Sequence, residues 1–291
     1  MSQNTLASVV YRDKALRELD ALPPFSPVLN HLMASLANED VSFAELASVI
    51  ERDTVLSGNV LRLVNSALYG RRGTVSSVRA AISILGIVKL RKYVLGMSVS
   101  RLWAKVAVPP SWNMGRFNDH SVAVAILSDA IVQKAGFDYP EGAFAAGLLH
   151  DLGRLMIATA CPAEYLRIVH LAMSTNRRLE EIETEVLGLN HAELSAAALQ
   201  RWGLPPAVQK AVLYHHRSES DLSATGGVMP LSRAIELADY MAVDAGHRIE
   251  DFDRGTAMAP EAALRVISLE AYAGAIRQEL ETEFQTMRAA F

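Results

Sequence analysis

Residues 143–157 read AFAAGLLHDLGRLMI and indicate the fold class, because an apolar stretch with helical spacing carries a histidine–aspartate pair near its middle. We predict one helix over 140–160. His150 and Asp151 are adjacent, so they would lie about 100° apart around that helix and could flank one site between neighbouring helices. Burying a carboxylate without a partner costs several kcal/mol, so Asp151 has to be exposed, paired or bound to a cation.

The helical pattern extends over most of the chain. In 55–68, for example, the apolar residues recur with the period of a helix, whereas no run of short alternating strands, no repeat of fixed period and no low-complexity tract is present. Pro109-Pro110 is the best internal boundary. We therefore predict an all-α protein with an N-terminal helical subdomain over 1–110 and a C-terminal one over 111–291. Further helices are expected near 115–135, 162–175, 179–187, 190–202, 205–216, 230–245 and 260–289.

Composition excludes several classes of protein. A chain of 291 residues with 51% hydrophobic residues can bury a sizeable core. Its 28 basic and 32 acidic residues give a formal net charge of −4, so nucleic acid is not an expected partner. The single cysteine, Cys161, excludes a disulfide framework and a site built from thiolate ligands. With no secretory pattern and no long apolar run, we expect a cytoplasmic protein with no membrane partner.

Other histidines, and a second aspartate that stands among apolar neighbours, lie on other predicted helices. Imidazole and carboxylate are ligands that suit divalent Fe, Mn and Zn. Together with the pair at 150–151 they form a set of seven candidate ligands from five helices, and two ions held close together could polarise a phosphate. The set is His120, His150, Asp151, His191, His215, His216 and Asp239.

Each member of this set also has an ordinary interpretation. Taken alone, His120 or His191 is more often a hydrogen-bonded helix residue than a ligand. The pair at 215–216 would complement the dipole of the helix that it closes. Asp239 could be a core carboxylate satisfied by an arginine.

The order of these residues resembles the HD superfamily of metal-dependent phosphohydrolases, particularly its HD-GYP branch. Longer phrases are more similar to one relative, the HDOD (HD-related output) domain, and the resemblance covers about 16–240. It implies a helical bacterial module for regulation or signal output, with metal binding retained here. The phrases are LPPFSPV (22–28), DTVLSGNVLRLVNSALYG (53–70), VSSVRAAISILGIVKLRKYVL (75–95), EGAFAAGLLHDLGRLMIA (141–158) and NHAELSAAALQRWGLPPAVQKAVLYHH (190–216).

The chain departs from the catalytic HD-GYP relatives at three places. Arg154 stands where they carry a lysine, and an arginine can hold a phosphate bidentately without being an equivalent group. No Gly-Tyr-Pro loop follows His216, and Arg116 occupies the position of a glutamate that some of them use. We therefore do not expect a third ion, or cyclic di-GMP as the substrate.

Three functional hypotheses follow. The first is a signalling module that binds a cluster of one or two divalent metal ions and has weak or absent catalytic activity. Fe and Mn are the expected ions, and Zn is the alternative. Its partner would be a signalling protein or a small ligand, a nucleotide included. The second is a phosphohydrolase acting on a nucleotide or phosphodiester, in which Asp151 bridges two ions and Arg154 neutralises charge on the phosphate. The third is a helical scaffold that holds no ion.

Overall fold

The computed structural model describes residues 9–11, 13–15, 17, 26–35, 42–66, 74–222 and 224–289. Over these residues the secondary structure is α-helix and short 3-10 helix, and the one β-bridge, between Phe137 and Met229, is isolated. The all-α prediction is confirmed. No described helix combines the length and the hydropathy that a transmembrane segment needs.

The described residues divide into two compact units. The larger unit contains Val106–Arg277 and the described residues of Met1–Leu22. The smaller unit contains the described residues of Pro23–Lys105 and of Gln278–Phe291. The phrase LPPFSPV and the end of the phrase at 53–70 lie partly outside the described residues.

The described residues of the smaller unit form five helices and the end of the last described helix. They are α1 (Pro27–Ser35), α2 (Phe43–Glu51), α3 (Thr54–Val64), α4 (Val78–Leu85) and α5 (Ile87–Trp103). Local sequence sets their ends: Ser42 and Glu45 form a capping box before α2, and Asp53 caps α3. Gly86 adopts a φ of 77° between α4 and α5, a backbone conformation that favours glycine. The Asp53 cap explains why the helix predicted at 55–68 starts one residue earlier, and this helix ends at Val64, where Asn65 is the C-cap.

The larger unit contains the remaining helices. They are α6 (Met114–Val132), α7 (Ala143–Leu149), α8 (Leu152–Ala160), α9 (Pro162–Ser174), α10 (Leu179–Leu187), α11 (His191–Arg201), α12 (Pro206–Leu213), α13 (Leu231–Asp244), α14 (Pro260–Arg265) and α15 (Ala273–Arg288). The residues of α15 from Gln278 onward belong to the smaller unit. The helix predicted over 260–289 is therefore two helices separated by a 3-10 turn at Glu270–Tyr272.

The prediction of one continuous helix over 140–160 was wrong. The chain forms a 3-10 turn at Pro140–Gly142, then α7, and leaves the helical conformation at Asp151, whose φ is −99° and ψ is 14°. Helix α8 then begins at Leu152. His150 and Asp151 consequently lie at the junction of two helices, and His215-His216 likewise follow the end of α12 instead of closing it from within.

Two glycines allow helices to approach closely around this junction. A Cβ atom on Gly147 would lie 2.8 Å from the Cα of Ala125 in α6. A Cβ atom on Gly153 would lie 2.0 Å from the carbonyl oxygen of His191, at the start of α11. The amide of Gly153 also donates to Ser195 Oγ at 2.7 Å. Helix α8 is therefore in backbone contact with the first turn of α11, which brings Asp151 and His191 together.

We expect Gly153→Ala to destabilise the protein by about 3 kcal/mol, the upper end of the usual cost of overpacking, because the methyl group meets rigid backbone. The measurement is the free energy of unfolding in urea. Gly274→Ala is the matched control in the same unit, since Gly274 is exposed in α15 and a Cβ there meets nothing within 4 Å. Its effect should stay within about 0.5 kcal/mol. Equal stability of the two variants would contradict the close approach.

Candidate metal centre

The structure brings all seven predicted side chains into one cluster in the larger unit. His120 comes from α6, the adjacent pair from the α7–α8 junction, and Asp239 from α13. His191 is the first residue of α11, and the remaining two histidines follow α12. Six of the seven residues are fully buried, and His216 is partly exposed.

Asp151 lies at the centre of the cluster, with its two carboxylate oxygens facing different histidines. Its Oδ1 atom is 3.3 Å from His191 Nε2 and 3.7 Å from His215 Nε2. Its Oδ2 atom is 3.6 Å from the Nε2 atoms of both His120 and His150. One carboxylate therefore joins two separate sets of imidazole nitrogens.

The cluster accordingly divides into two groups that share Asp151. The His191 group consists of Asp151, His191, His215 and His216, and the His120 group consists of His120, His150 and Asp151. Within each group the candidate ligand atoms all lie within 4.8 Å of one another. Asp239 extends the second group, because its Oδ1 atom is 3.3 Å from His120 Nε2.

Hydrogen bonds at the far side of the rings orient the imidazoles. The Nδ1 atoms of His120, His150 and His215 donate to the carbonyl oxygens of His247, Gly147 and Val212 at 3.0, 2.8 and 2.6 Å. A carbonyl oxygen only accepts, so each Nδ1 carries the proton. In the neutral ring the lone pair is then on Nε2, the atom that faces the cluster. This arrangement is the usual support of a metal-bound histidine.

Ionisation of three members favours cation binding. Burial lowers the pKa of His150 and of His216 well below the usual value, so both rings are neutral near pH 7. Burial would raise the pKa of the Asp151 carboxyl, but His150, Arg154 and His191 outweigh it and hold that pKa well below the usual range. The centre thus contains an ionised carboxylate together with the neutral imidazoles of His150 and His216.

His191 holds a proton at neutral pH, whereas Asp239 holds one only below about pH 6. Burial alone would lower the pKa of His191, but the carboxylates of Glu183 and Asp151 outweigh it and raise that pKa to about 9. Burial raises the pKa of Asp239 to about 6, against the influence of His120. The protonated His191 is consistent with the 2.7 Å contact between its Nε2 atom and that of His216, since one of the two nitrogens has to donate.

Two buried atoms test whether a cation fits. Among the described residues, Asp151 Oδ1 and His215 Nε2 are buried without a hydrogen-bond partner, although they lie only 3.7 Å apart. Such atoms are rare in folded proteins, because a buried polar atom without a partner is costly. A cation between them would accept electron pairs from both. The ligand types and this unmet requirement therefore fit a divalent ion in the His191 group.

Two carboxylates that the sequence did not single out complete the surroundings. Glu183 is buried and accepts from both the amide and Nδ1 of His191, at 2.8 and 2.6 Å. The burial of Glu183 could have been predicted from the sequence, because it shares the inward face of α10 with the buried Ile182 and Leu187. Asp253 lies in a 3-10 segment, Asp251–Thr256, which no sequence pattern linked to the cluster.

Arg154 has a different environment from the one expected of a phosphate ligand. Its Nη1 atom is 3.3 Å from Asp151 Oδ2, and its Nη2 atom is 3.2 Å from both oxygens of Asp253. Burial would lower the pKa of the guanidinium, but these two carboxylates outweigh it and raise it. In this structure Arg154 holds Asp151 in place.

A small cavity opens from the cluster toward solvent. About 60 Å³ of it is open to the centre of a water molecule. Five of the seven candidate ligands line it, together with Arg178, Glu180, Tyr240 and Thr256.

Comparison with known proteins gives the family. The chain matches the HDOD domain family over residues 22–218. The crystal structure of an HDOD domain protein of unknown function from Geobacter sulfurreducens is similar, with a TM-score of 0.70, 23% identity and coverage of 94% of this chain and 97% of that one. A Shewanella amazonensis protein provisionally described as a phosphohydrolase has a TM-score of 0.70, 25% identity and coverage of 95% and 97%.

A curated relative is longer than this chain. An uncharacterized protein of Treponema pallidum is 23% identical over 278 residues, which are 94% of this chain and 50% of the relative. The chain thus spans about half the length of that protein. Because the family match covers well over half of the sequence and the described fold is entirely helical, this chain belongs to the HDOD domain family.

Proposed function

We propose that this HDOD domain is a regulatory module whose buried cluster holds two divalent cations, with Fe or Mn preferred over Zn. The observation that carries the proposal is the division of the Asp151 carboxylate between two sets of imidazole nitrogens. In the His191 group, His191, His215 and His216 would be the ligands. In the His120 group, His120, His150 and Asp239 would be the ligands. Asp151 would bridge the two ions.

Cations at this position would connect segments that are far apart in the sequence. The candidate ligands come from α6, the α7–α8 junction, α11, the end of α12 and α13. The unfolded chain does not hold these segments together, so cation binding would stabilise the folded larger unit. A change in cation occupancy would then change the order of those elements. The partner that responds, a signalling protein or a small ligand, is part of the proposal.

The size of the cavity favours regulation over the turnover of a nucleotide. Sites that enclose small molecules usually measure about 300–1,000 Å³. The space that leads to the cluster is ≈ 60 Å³. A nucleotide could not be enclosed there, which supports weak or absent activity on such substrates.

Phosphohydrolysis is the second candidate function, and the bridging geometry of Asp151 favours it. Two cations held there would supply Lewis-acid stabilisation for charge that develops on a phosphoryl group. In this alternative Arg154 would neutralise charge on the phosphate, as the sequence predicted, and its bonds to Asp253 would have to rearrange. Without that rearrangement, Arg154 orients Asp151 and does not reach a ligand.

Metal titration tests the first proposal. We expect about two equivalents of Mn²⁺ to bind, and Asp151→Asn to lose at least one, because the amide cannot bridge two cations. At 100 times the dissociation constant, binding should stabilise the native protein by about 2.7 kcal/mol. Isothermal calorimetry gives the stoichiometry and thermal unfolding the stabilisation. Asp244→Asn, an exposed position at the end of α13, is the control and should behave like the native protein. No binding by the native chain would overturn the proposal.

An activity assay distinguishes the two candidate functions. We expect Mn²⁺-loaded protein to show no turnover of an aryl phosphodiester or of nucleotides above that of Asp151→Ala, because the cavity admits neither. Turnover of the aryl phosphodiester is measured by release of its chromophoric alcohol, and turnover of the nucleotides by release of inorganic phosphate. Turnover that is present in the native protein, absent from Asp151→Ala and retained by Asp244→Asn would instead favour the phosphohydrolase.

Cation affinity should fall as the pH is lowered, because protons compete for the same atoms. Between pH 6 and pH 9 one proton, on His191, has to leave, and below about pH 6 a second has to leave Asp239. We expect the association constant for Mn²⁺ to fall about tenfold per pH unit above pH 6 and about a hundredfold per unit below it.

The control for this pH dependence is Glu183→Gln. It removes a carboxylate that raises the pKa of His191, so the dependence above pH 7 should flatten. Calorimetric titrations from about pH 5 to about pH 8.5 give both slopes. An association constant that is independent of pH across this range would contradict the assignment of these two groups.

A further inference from the structure

A second cavity lies on the larger unit and is separate from the cluster. It is formed by residues of α11 and α12, by Gly188 and Leu189 just before α11, and by Val9, and we call it the α11–α12 cavity. Its volume is ≈ 480 Å³, within the range of about 300–1,000 Å³ that is usual for sites that enclose small molecules. None of the seven candidate ligands lines it. A small molecule therefore fits here without touching the cluster.

One face of α11 forms the length of this cavity. The positions that line it are Glu193, Ala196, Ala197 and Gln200, which have the spacing of neighbours on a single helix face. At a rise of about 1.5 Å per residue, these positions extend over about 10 Å. The two alanines occupy the middle, and their methyl side chains leave the space between the helices open. The cavity thus follows α11 for about two turns.

The walls of the cavity are mainly apolar. Leu189 and Leu194 are buried, Leu213 is half-buried, and Val9 is 53% exposed although it is a large hydrophobic residue. An apolar group in the cavity would cover Val9 and the outer part of Leu213, and removal of such surface from water is favourable. The walls therefore favour a ligand with an apolar body.

Polar side chains lie at one end of the cavity. The side-chain amide of Gln209 donates to the carbonyl oxygen of Leu204, in the connection between α11 and α12, at 2.7 Å. This bond places Gln209 and its neighbour Lys210 at the same end as Gln200, which is near the end of α11. Within the described part of the chain, the side chains of Gln200 and Lys210 have no hydrogen-bond or ion-pair partner. This end consequently offers an ammonium group and an amide N–H group to an anion.

The carboxylate that lines the cavity lies toward the opposite end. Glu193 precedes Gln200 by seven residues, so the two positions are about 10 Å apart along the helix. Its Oε2 atom already accepts the amide of Asn190 at 3.1 Å. At such a distance salt and water screen much of the repulsion between exposed charges. A ligand anion beside Lys210 would thus meet an attractive charge and only a screened repulsive one.

We propose that the α11–α12 cavity binds a small amphipathic monocarboxylate, with its apolar body along Ala196 and Ala197 and its carboxylate beside Lys210. Medium-chain alkyl carboxylates belong to this chemical class. The inference goes beyond the proposed function and does not require cations in the cluster, because the attraction comes from the cavity walls and from Lys210.

Calorimetric titration of the 291-residue chain with octanoate, octylamine and acetate tests the proposal. We expect one octanoate to bind, octylamine to bind more weakly because its charge has the sign of Lys210, and acetate not to bind because it has no apolar body. Lys210→Glu should weaken octanoate binding about tenfold and strengthen octylamine binding, since an exposed ion pair is replaced by a repulsion of similar size. Lys134→Glu is the matched control, because Lys134 lies in the same unit and does not line the cavity. Both of its affinities should be native.

Ala197→Leu tests the position of the ligand. A leucine would fill the middle of the cavity, so octanoate binding should be lost, whereas Ala275→Leu, at an exposed position in α15, should bind octanoate as the native protein does. Native octanoate affinity in Ala197→Leu would overturn the site. Failure of the two affinities of Lys210→Glu to move in opposite directions would overturn the role of Lys210, and this readout needs no second variant because stronger octylamine binding requires folded protein. Absence of octanoate binding to the native chain would overturn the proposal as a whole.

Discussion

The buried carboxylate of Asp151 is the constraint on which the arrangement of the larger unit depends. A charge that is 3% exposed is tolerated only where other groups compensate it. Here four imidazole nitrogens and the Arg154 guanidinium surround it, and three of the imidazoles, those of His120, His191 and His215, come from segments that are distant in the sequence. Even so, its Oδ1 atom makes no hydrogen bond within the described part of the chain. The surroundings compensate the charge and still leave one coordinating atom unused.

The supporting residues make this arrangement rigid. Three of the imidazoles are oriented by backbone carbonyls and His191 by Glu183. Arg154 is held by Asp253, and Gly153 permits the backbone contact that places Asp151 beside His191. These contacts hold the ligand atoms in place, which would reduce the conformational entropy lost on cation binding. A regulatory centre of this kind would respond to occupancy through helices that are already in place.

Much of this centre could be predicted from residue types. Polar residues inside apolar helical stretches are expensive, so the positions of His150, Asp151 and Asp239 were conspicuous. Glu183 could have been found by the same reasoning, because it shares a face with apolar residues of α10. Asp253 could not, since it lies in a short 3-10 segment with no helical apolar pattern and is bonded to Arg154 across a long sequence separation. The break at Asp151 was also not predictable from periodicity, because the apolar pattern continues across it.

The sequence by itself determined that the protein is helical, because hydrophobic periodicity is a local property that survives any particular packing. It also indicated the seven candidate ligands, since their types and surroundings are local too. Only the tertiary structure decided that the two oxygens of Asp151 face separate groups, that Arg154 faces Asp253 and that Arg178 lines the cavity beside the cluster. Those facts depend on where helices pack and on the direction of each side chain, and distances between residues remote in the sequence are not encoded in any local pattern.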